Sequence, residues 1–432
     1  MDLAARAHNH NFKFDPIVRS LMDLDFYKIL MGQFIYERHP LVTVEFSLIN
    51  RTKSVNLGGI IDEGELCEQL DHVRTLRFQN NELIWLAGNT FYGQERIFKK
   101  GFLDHLRAMK LPPYKLDRSD TGDYILTFTG PWQDVTFWEI YALTIVSELK
   151  TRASLKGLSK FELDITYACA KEKLWRKLQE LNKLDSLSLS DFATRRRHSF
   201  LWQEWCVLAA MEVLKEKFTG TSNAYLAMKY GLEAKGTNAH ELPMVLGALA
   251  QDDEELKNVQ YEILHQWQNS YSGNLLVALP DTFGTTQFLK NAPHWVSYWT
   301  GFRPDSKEPH AAADELIAFW KRMATNPKEK LILFSDGLEV ENIIDLHNSY
   351  HDKVRVGFGW GTNFSNDFKG CHPRGEHSLD PLSLVCKVTK ANGRAAVKLS
   401  DNFVKATGQS AEVDRYREVF GLEGMANAPV YV

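Results

Sequence analysis

Between about residues 150 and 384 one local pattern keeps returning: a short apolar or β-rich run, a polar or glycine-containing turn, then a helical segment. The clearest runs are SLSLSDF before ATRRRHS, LLVALP before DTFGT, HWVSYWTGF before RPDS, KLILF before SDGLEVENIIDLH and VRVGFG before WGTNFSND. That alternation is the rhythm of βα units, and repeated units predict a parallel barrel. Chemistry in such barrels gathers at the C-terminal ends of the strands. Here the unusual polar residues stand directly after the strand runs rather than before them.

The flanks read differently. Apolar positions recur at helical spacing from Ser20 to His39, and Leu41–Ile49 then alternates as a half-buried strand should. Asp123–Pro131 reads as another strand, followed by an apolar helix pattern from Val135 to Leu149. A domain boundary is expected near that helix. Residues 1–140 would form an α/β domain completed by 385–432, with the barrel spanning 141–384; a chain of 432 residues, 44% hydrophobic, can fill two cores. Only the first dozen or so residues look loose.

Charge is balanced, 51 basic against 55 acidic residues for a net −4, without the one-sign block of a nucleic-acid arm or polybasic anchor. Neither nucleic acid nor membrane is expected as a partner. Cys67, Cys169, Cys206, Cys371 and Cys386 are scattered without metal or redox spacing and read as reduced thiols. No apolar run approaches the roughly 20 residues of a membrane span, and the N-terminus lacks a signal-peptide core. A cytoplasmic protein with a small-molecule partner is expected.

Arg195, Arg196 and Arg197 follow a strand run, and three guanidinium groups at a barrel mouth can grip phosphate or carboxylate. A solvated basic loop is the other reading of such a triplet. Thr219–Asn223 makes a small hydroxyl-rich turn that includes Thr221; it can cap the helix from near Ala224 or offer backbone N–H groups to an anion. GTNAHE presents His240 beside Glu241 at a helix start, and an imidazole can accept and donate a phosphoryl group. A lone loop histidine is more often a surface residue. Asp281 with Thr282, Arg303 with Asp305 and Ser306, and Asp336 with Gly337 end successive strand runs; carboxylates there can hold ribose hydroxyls, orient a histidine or coordinate magnesium. GFGWGTNFSND puts glycines and Thr362 in a turn resembling the late-strand phosphate cup of barrel enzymes.

Taken in this order, from about Leu21 to Asn402, the segments resemble the nicotinate phosphoribosyltransferase family of bacterial type. DLDFYKILMGQ, TRRRHSFLWQE, FTGTSNAYLA, GTNAHELPM, RPDS, FSDGLE, FGWGTNFSND and NGRAAVKLSDN carry the likeness, GTNAHE at its distance from FTGTSN most specifically. The resemblance implies the type II phosphoribosyltransferase fold: an irregular α/β barrel plus an α/β domain built from both chain ends. It implies that nicotinate, PRPP and ATP are substrates, that Mg2+ is the cofactor, and that His240 is transiently phosphorylated. Tyr27 would reach the pyridine ring from a neighbouring subunit of a homodimer, and Phe192 would stack on its other face. Arg195 and Arg303 would face the base and the ribose-phosphate, with Asp305 and Asp281 near His240 and the ribose. Asp336, Gly337, Gly361 and Thr362 would hold the 5′-phosphate, and Thr221 would contact substrate. One departure stands out: the usual RxDSGDP reads RPDSKEP, with Lys307 and Glu308 in place of Gly and Asp.

Three other readings use the same residues. A sister enzyme preferring nicotinamide shares most of the motifs, and comparing the acid with the amide separates the two. A barrel aldolase would use Lys387 of LVCKV as a Schiff-base lysine. A barrel that only binds nucleotide would hold PRPP without releasing pyrophosphate.

Overall fold

The computed structural model describes residues 14–428, so the expectation of a loose N-terminus lies outside the described residues. Among the described residues eleven strands form two sheets: β1 Thr43–Asn50, β2 Tyr114–Arg118, β3 Tyr124–Pro131, β4 Leu189–Asp191, β5 Phe218–Thr221, β6 Val277–Ala278, β7 Gly301–Phe302, β8 Leu331–Phe334, β9 Arg355–Trp360, β10 Leu384–Ala391 and β11 Arg394–Ala395. The first sheet is antiparallel in the order β11-β10-β1-β3-β2. Its centre pairs β1 with β10, Val44 opposite Ala391 and Asn50 opposite Leu384, so both ends of the chain build one layer.

The second sheet is parallel in the order β5-β4-β9-β8-β7-β6. Its two edges are bridged by an irregular strip. Ala234 pairs with Thr221 at the β5 edge, and Thr237 Oγ1 and Asn238 Nδ2 each donate to Val277 O of β6 at 3.3 Å. A stave held by side chains where a regular strand would use its backbone is what makes this α/β barrel irregular. The strands are short and their ends converge, which concentrates the residues following each strand on one rim.

Between the sheets lies helix Trp138–Leu155, buried at Trp138, from Ile140 to Arg152 and at Leu155. Apolar residues on every side of it leave no solvent face, and its buried charges are met inside, Arg152 by Glu148 and Lys150 by Asp380 O. It packs against β1 and β10 on one side and the Thr194–Arg196 turn on the other. Among the described residues no helix is long and apolar enough to cross a membrane.

Two local expectations are corrected. Among the described residues the first helix runs Tyr27–Arg38 and does not begin at Ser20. The preceding stretch is drawn onto the barrel: Phe26 N donates to Ser222 O at 2.7 Å and Asp25 bridges to Asn223, a tertiary pairing that overrides helical periodicity. In HWVSYWTGF only Gly301 and Phe302 form strand, while His294–Tyr298 is a 3-10 turn. Gly301 lies so close to β8 that a Cβ there would stand 2.0 Å from Leu331 O.

Candidate active site

The strand ends and the first sheet enclose a cavity of about 180 Å³. His240 sits at the N-terminal boundary of helix Glu241–Leu249, held from both ring nitrogens. Nδ1 lies 2.9 Å from Thr282 Oγ1 and Nε2 lies 3.1 Å from Asp305 Oδ2. A carboxylate can only accept, so Nε2–H donates to Asp305 and the Thr282 hydroxyl donates to Nδ1. Asp281 Oδ1 stands 3.6 Å from Nε2, while Ser306 Oγ donates to Asp281 Oδ2 at 2.6 Å. Lys398, almost fully buried, lies 3.4 Å from Asp281 and 3.6 Å from Asp305. Burial, then Lys398, lower the His240 pKa against the pull of the two carboxylates, so the ring is neutral at pH 7 and has a lone pair to give. The Asp305 carboxyl is held well below its usual range: burial works against the charge, but His240, Lys398 and Arg303 outweigh it.

On the other side, Tyr27, Phe192 and Arg195 gather. The Arg195 guanidinium lies 5.8 Å from the Tyr27 ring centroid, with Nε 3.1 Å from Asp25 Oδ2 and Nη1 3.4 Å from Glu139 Oε1. Tyr27 OH donates to Glu139 Oε2 at 3.3 Å. The ring of Tyr27 lines the cavity of its own chain. Phe192, whose N–H donates to Trp360 O at 2.9 Å, lines the same wall.

Arg303, Asp305, Asp336, Gly337, Gly361 and Thr362 all face the cavity. Asp336 pairs with Lys405, and burial raises its pKa. Three expected residues do not reach it. Thr221 is fully buried, its hydroxyl donating to Asp191 Oδ2 at 2.7 Å and accepting from Asn223 N at 3.0 Å. The turn around it spends its amides internally, Ser222 N on Asp191 O and Thr221 N on Glu233 O, so it offers no anion site; Asn223 Oδ1 instead caps helix Ala224–Tyr230. Arg197 is also buried, forking onto Asp23 at 2.6 and 2.7 Å, so only Arg195 and Arg196 of the triplet serve the cavity. Asp281 is fully buried and acts through His240 and Lys398.

The RPDSKEP departure has a local explanation. Glu308 caps helix Pro309–Arg322, accepting from Ala311 N at 2.7 Å, and Lys307 pairs with Glu315 and donates to Thr286 Oγ1 at 2.9 Å. Both side chains point away from the carboxylates around His240.

The model of the nicotinate phosphoribosyltransferase (NAPRTase) N-terminal domain matches residues 22–147, and that of the nicotinate phosphoribosyltransferase (NAPRTase) family matches 187–424. The chain belongs to the nicotinate phosphoribosyltransferase family. Crystal structures agree. That of nicotinate phosphoribosyltransferase from Porphyromonas gingivalis superposes with a TM-score of 0.82 at 26% identity, over 94% of this chain and 100% of that one. The enzyme of the same description from Vibrio cholerae gives 0.83 at 27% identity, over 96% of each chain. The type II phosphoribosyltransferase fold expected from the motifs is therefore present.

Family membership leaves the cations to be read from the structure. Arg51, Lys387, Lys398 and Lys405 join Arg195, Arg196 and Arg303 around the cavity. Of the first four, Lys387 was weighed only as an aldolase lysine, and Lys398 lies inside the NGRAAVKLSDN motif without being singled out. Arg51 and Lys405 carry no motif that could have marked them. They come from the first sheet and the C-terminal return, which meet the barrel rim only once β1 and β10 pair.

Proposed function

We propose that this chain joins nicotinate to the ribose-phosphate of PRPP, forming nicotinate mononucleotide and pyrophosphate and supplying NAD biosynthesis. The observation that carries this is the division of one cavity: an aromatic and guanidinium cradle at Tyr27, Phe192 and Arg195, and a polyphosphate-sized cationic wall beside a neutral, doubly held His240. Displacing pyrophosphate at C1 builds positive charge on the sugar and negative charge on the leaving group. Asp305 stands where the first can be met and Arg51, Arg196, Lys398 and Lys405 where the second can. The pKa of Lys387 is pushed well below the lysine range by burial and then by Lys398 and Arg51, and an anion bound beside it would raise it again.

Mg2+ fits this wall: Asp305 and Asp336 present hard carboxylate oxygens from two strand ends, and Mg2+ favours one or two such ligands plus substrate phosphates. Held by those two residues, it would neutralise charge on the departing pyrophosphate. His240 is proposed to accept the γ-phosphoryl group of ATP, linking ATP hydrolysis to synthesis by adding charge beside the PRPP site. Asp305 and Thr282 orient its ring for that step, and Asp281 acts behind them. A cytoplasmic homodimer is proposed from the family resemblance alone, and sedimentation velocity tests the assembly.

The deciding experiment measures pyrophosphate release from PRPP and Mg2+ with nicotinate or nicotinamide, each with and without ATP. ATP-stimulated release with nicotinate is expected; release only with nicotinamide moves the protein to the sister activity, and none with either rejects the reading. His240→Asn should abolish ATP stimulation and leave slow ATP-independent synthesis. Full stimulation in that variant rejects the histidine assignment.

A further inference from the structure

Arg195 is the guanidinium of the proposed base cradle and so the group there that can pair with a nicotinate carboxylate, yet Asp25 and Glu139 already hold it. A third carboxylate entering that cradle meets the charge of Glu139. What offsets that charge lies behind the wall. Lys28 is fully buried, its Nζ 2.6 Å from Glu139 Oε2, paired with Glu241 and 3.2 Å from Thr136 Oγ1. Glu241 is held in turn by Trp132 Nε1 at 2.6 Å. The order is therefore Arg195, Glu139, Lys28, Glu241, alternating in sign, with the substrate cradle at one end and the residue following His240 at the other.

Burial opposes the charge on Lys28, but Glu139 and Glu241 outweigh it and keep the group a cation. Burial opposes the charge on Glu139 as well, and Lys28 and Arg195 reverse the balance. A permanent buried cation that touches no substrate and serves a cavity-lining carboxylate has an electrostatic task.

We propose that Lys28 is a positioning residue for specificity: its buried ammonium neutralises Glu139 and so keeps the ring cradle receptive to a pyridine that carries a carboxylate. The proposal rests on the reading that the cradle binds nicotinate. Without Lys28, Glu139 takes more of Arg195 and repels the incoming acid, while Arg51, Lys398 and Lys405 of the polyphosphate wall keep their own partners.

The test uses the full chain and two variants, Lys28→Met and the double variant Lys28→Met with Glu241→Gln. The second removes one cation and one anion together and so keeps the buried net charge constant. Steady-state KM is measured for nicotinate and for PRPP, with Lys28→Arg as the charge-retaining comparison. The expected result is a rise of about tenfold or more in the nicotinate KM, tenfold being the least that one uncompensated like charge within about 12 Å would produce at an effective dielectric of about 20. PRPP KM should stay within about twofold, and Lys28→Arg should recover part of the loss. Equal changes in both KM values, or none, in a variant that still melts cooperatively overturn the proposal. A wild-type protein that releases no pyrophosphate with nicotinate overturns the functional reading beneath it, a different result from unselective variants of a working enzyme.

Discussion

Gly359 on β9 faces the Phe192 ring, and the contact is close enough to calculate the effect of one methyl group. A Cβ at Gly359 would stand 2.3 Å from Cδ2, 2.4 Å from Cε2 and 2.8 Å from Cγ of Phe192. Carbon atoms in contact rest at about 3.5 to 4.0 Å, so Gly359→Ala requires the ring to retreat by roughly 1.2 Å or more. The Phe192 backbone cannot follow freely, because its N–H donates to Trp360 O at 2.9 Å. Overpacking of this kind costs about 1 to 3 kcal/mol. The same ring is a wall of the base cradle, and losing its stacking geometry costs a further 0.5 to 1.5 kcal/mol or so of binding, about two- to twelvefold in nicotinate KM. Gly357 supplies the control from the same strand: a Cβ there meets Leu333 Cδ1 at 3.4 Å, an ordinary contact. Gly357→Ala should stay within about 0.5 kcal/mol of wild type. Urea unfolding and nicotinate KM are measured for both. If Gly359→Ala matches Gly357→Ala in both, Phe192 does not lie where its role in the cradle requires.

Lys398 lowers the His240 pKa, second to burial, so Lys398→Met removes a repulsion against the imidazolium and leaves two carboxylates that favour it. The His240 pKa rises, more of the ring is protonated near neutrality, and the acid limb of the pH–rate profile moves to higher pH; an unmoved limb refutes the assignment. Arg197→Met strands the buried Asp23 charge, for which about 3 to 5 kcal/mol is expected by urea unfolding. A loss below about 1 kcal/mol would show that water reaches that pair. Lys307→Ala removes a partly exposed pair with Glu315 and should cost no more than about 1 kcal/mol without changing either substrate KM.

The fate of the arginine triplet shows what a sequence pattern can and cannot carry. The βα rhythm told correctly that a strand ends near Asp191 and that polar groups after it emerge at the rim, and it did the same for Arg303, Asp305 and Asp336. It could not distinguish Arg195 from Arg197. That choice is made by Asp23, 174 residues away, whose carboxylate draws Arg197 inward with a bidentate fork. The same stretch, Asp23 to Phe26, leaves helical geometry to pair with Asn223 and Ser222, and that pairing sets Tyr27 in its own chain's cavity. Thr221 meets the same limit: a hydroxyl at a strand end looks the same in sequence whether it faces a cavity or, as here, donates to the buried Asp191. Local periodicity decides where a polar side chain leaves the backbone, whereas the partner that neutralises it is decided by which segments the fold brings together. For that reason the backbone of this site was legible from runs of five to nine residues. Its electrostatics, from Lys398 between two carboxylates to Lys28 between Glu139 and Glu241, became legible only with the fold.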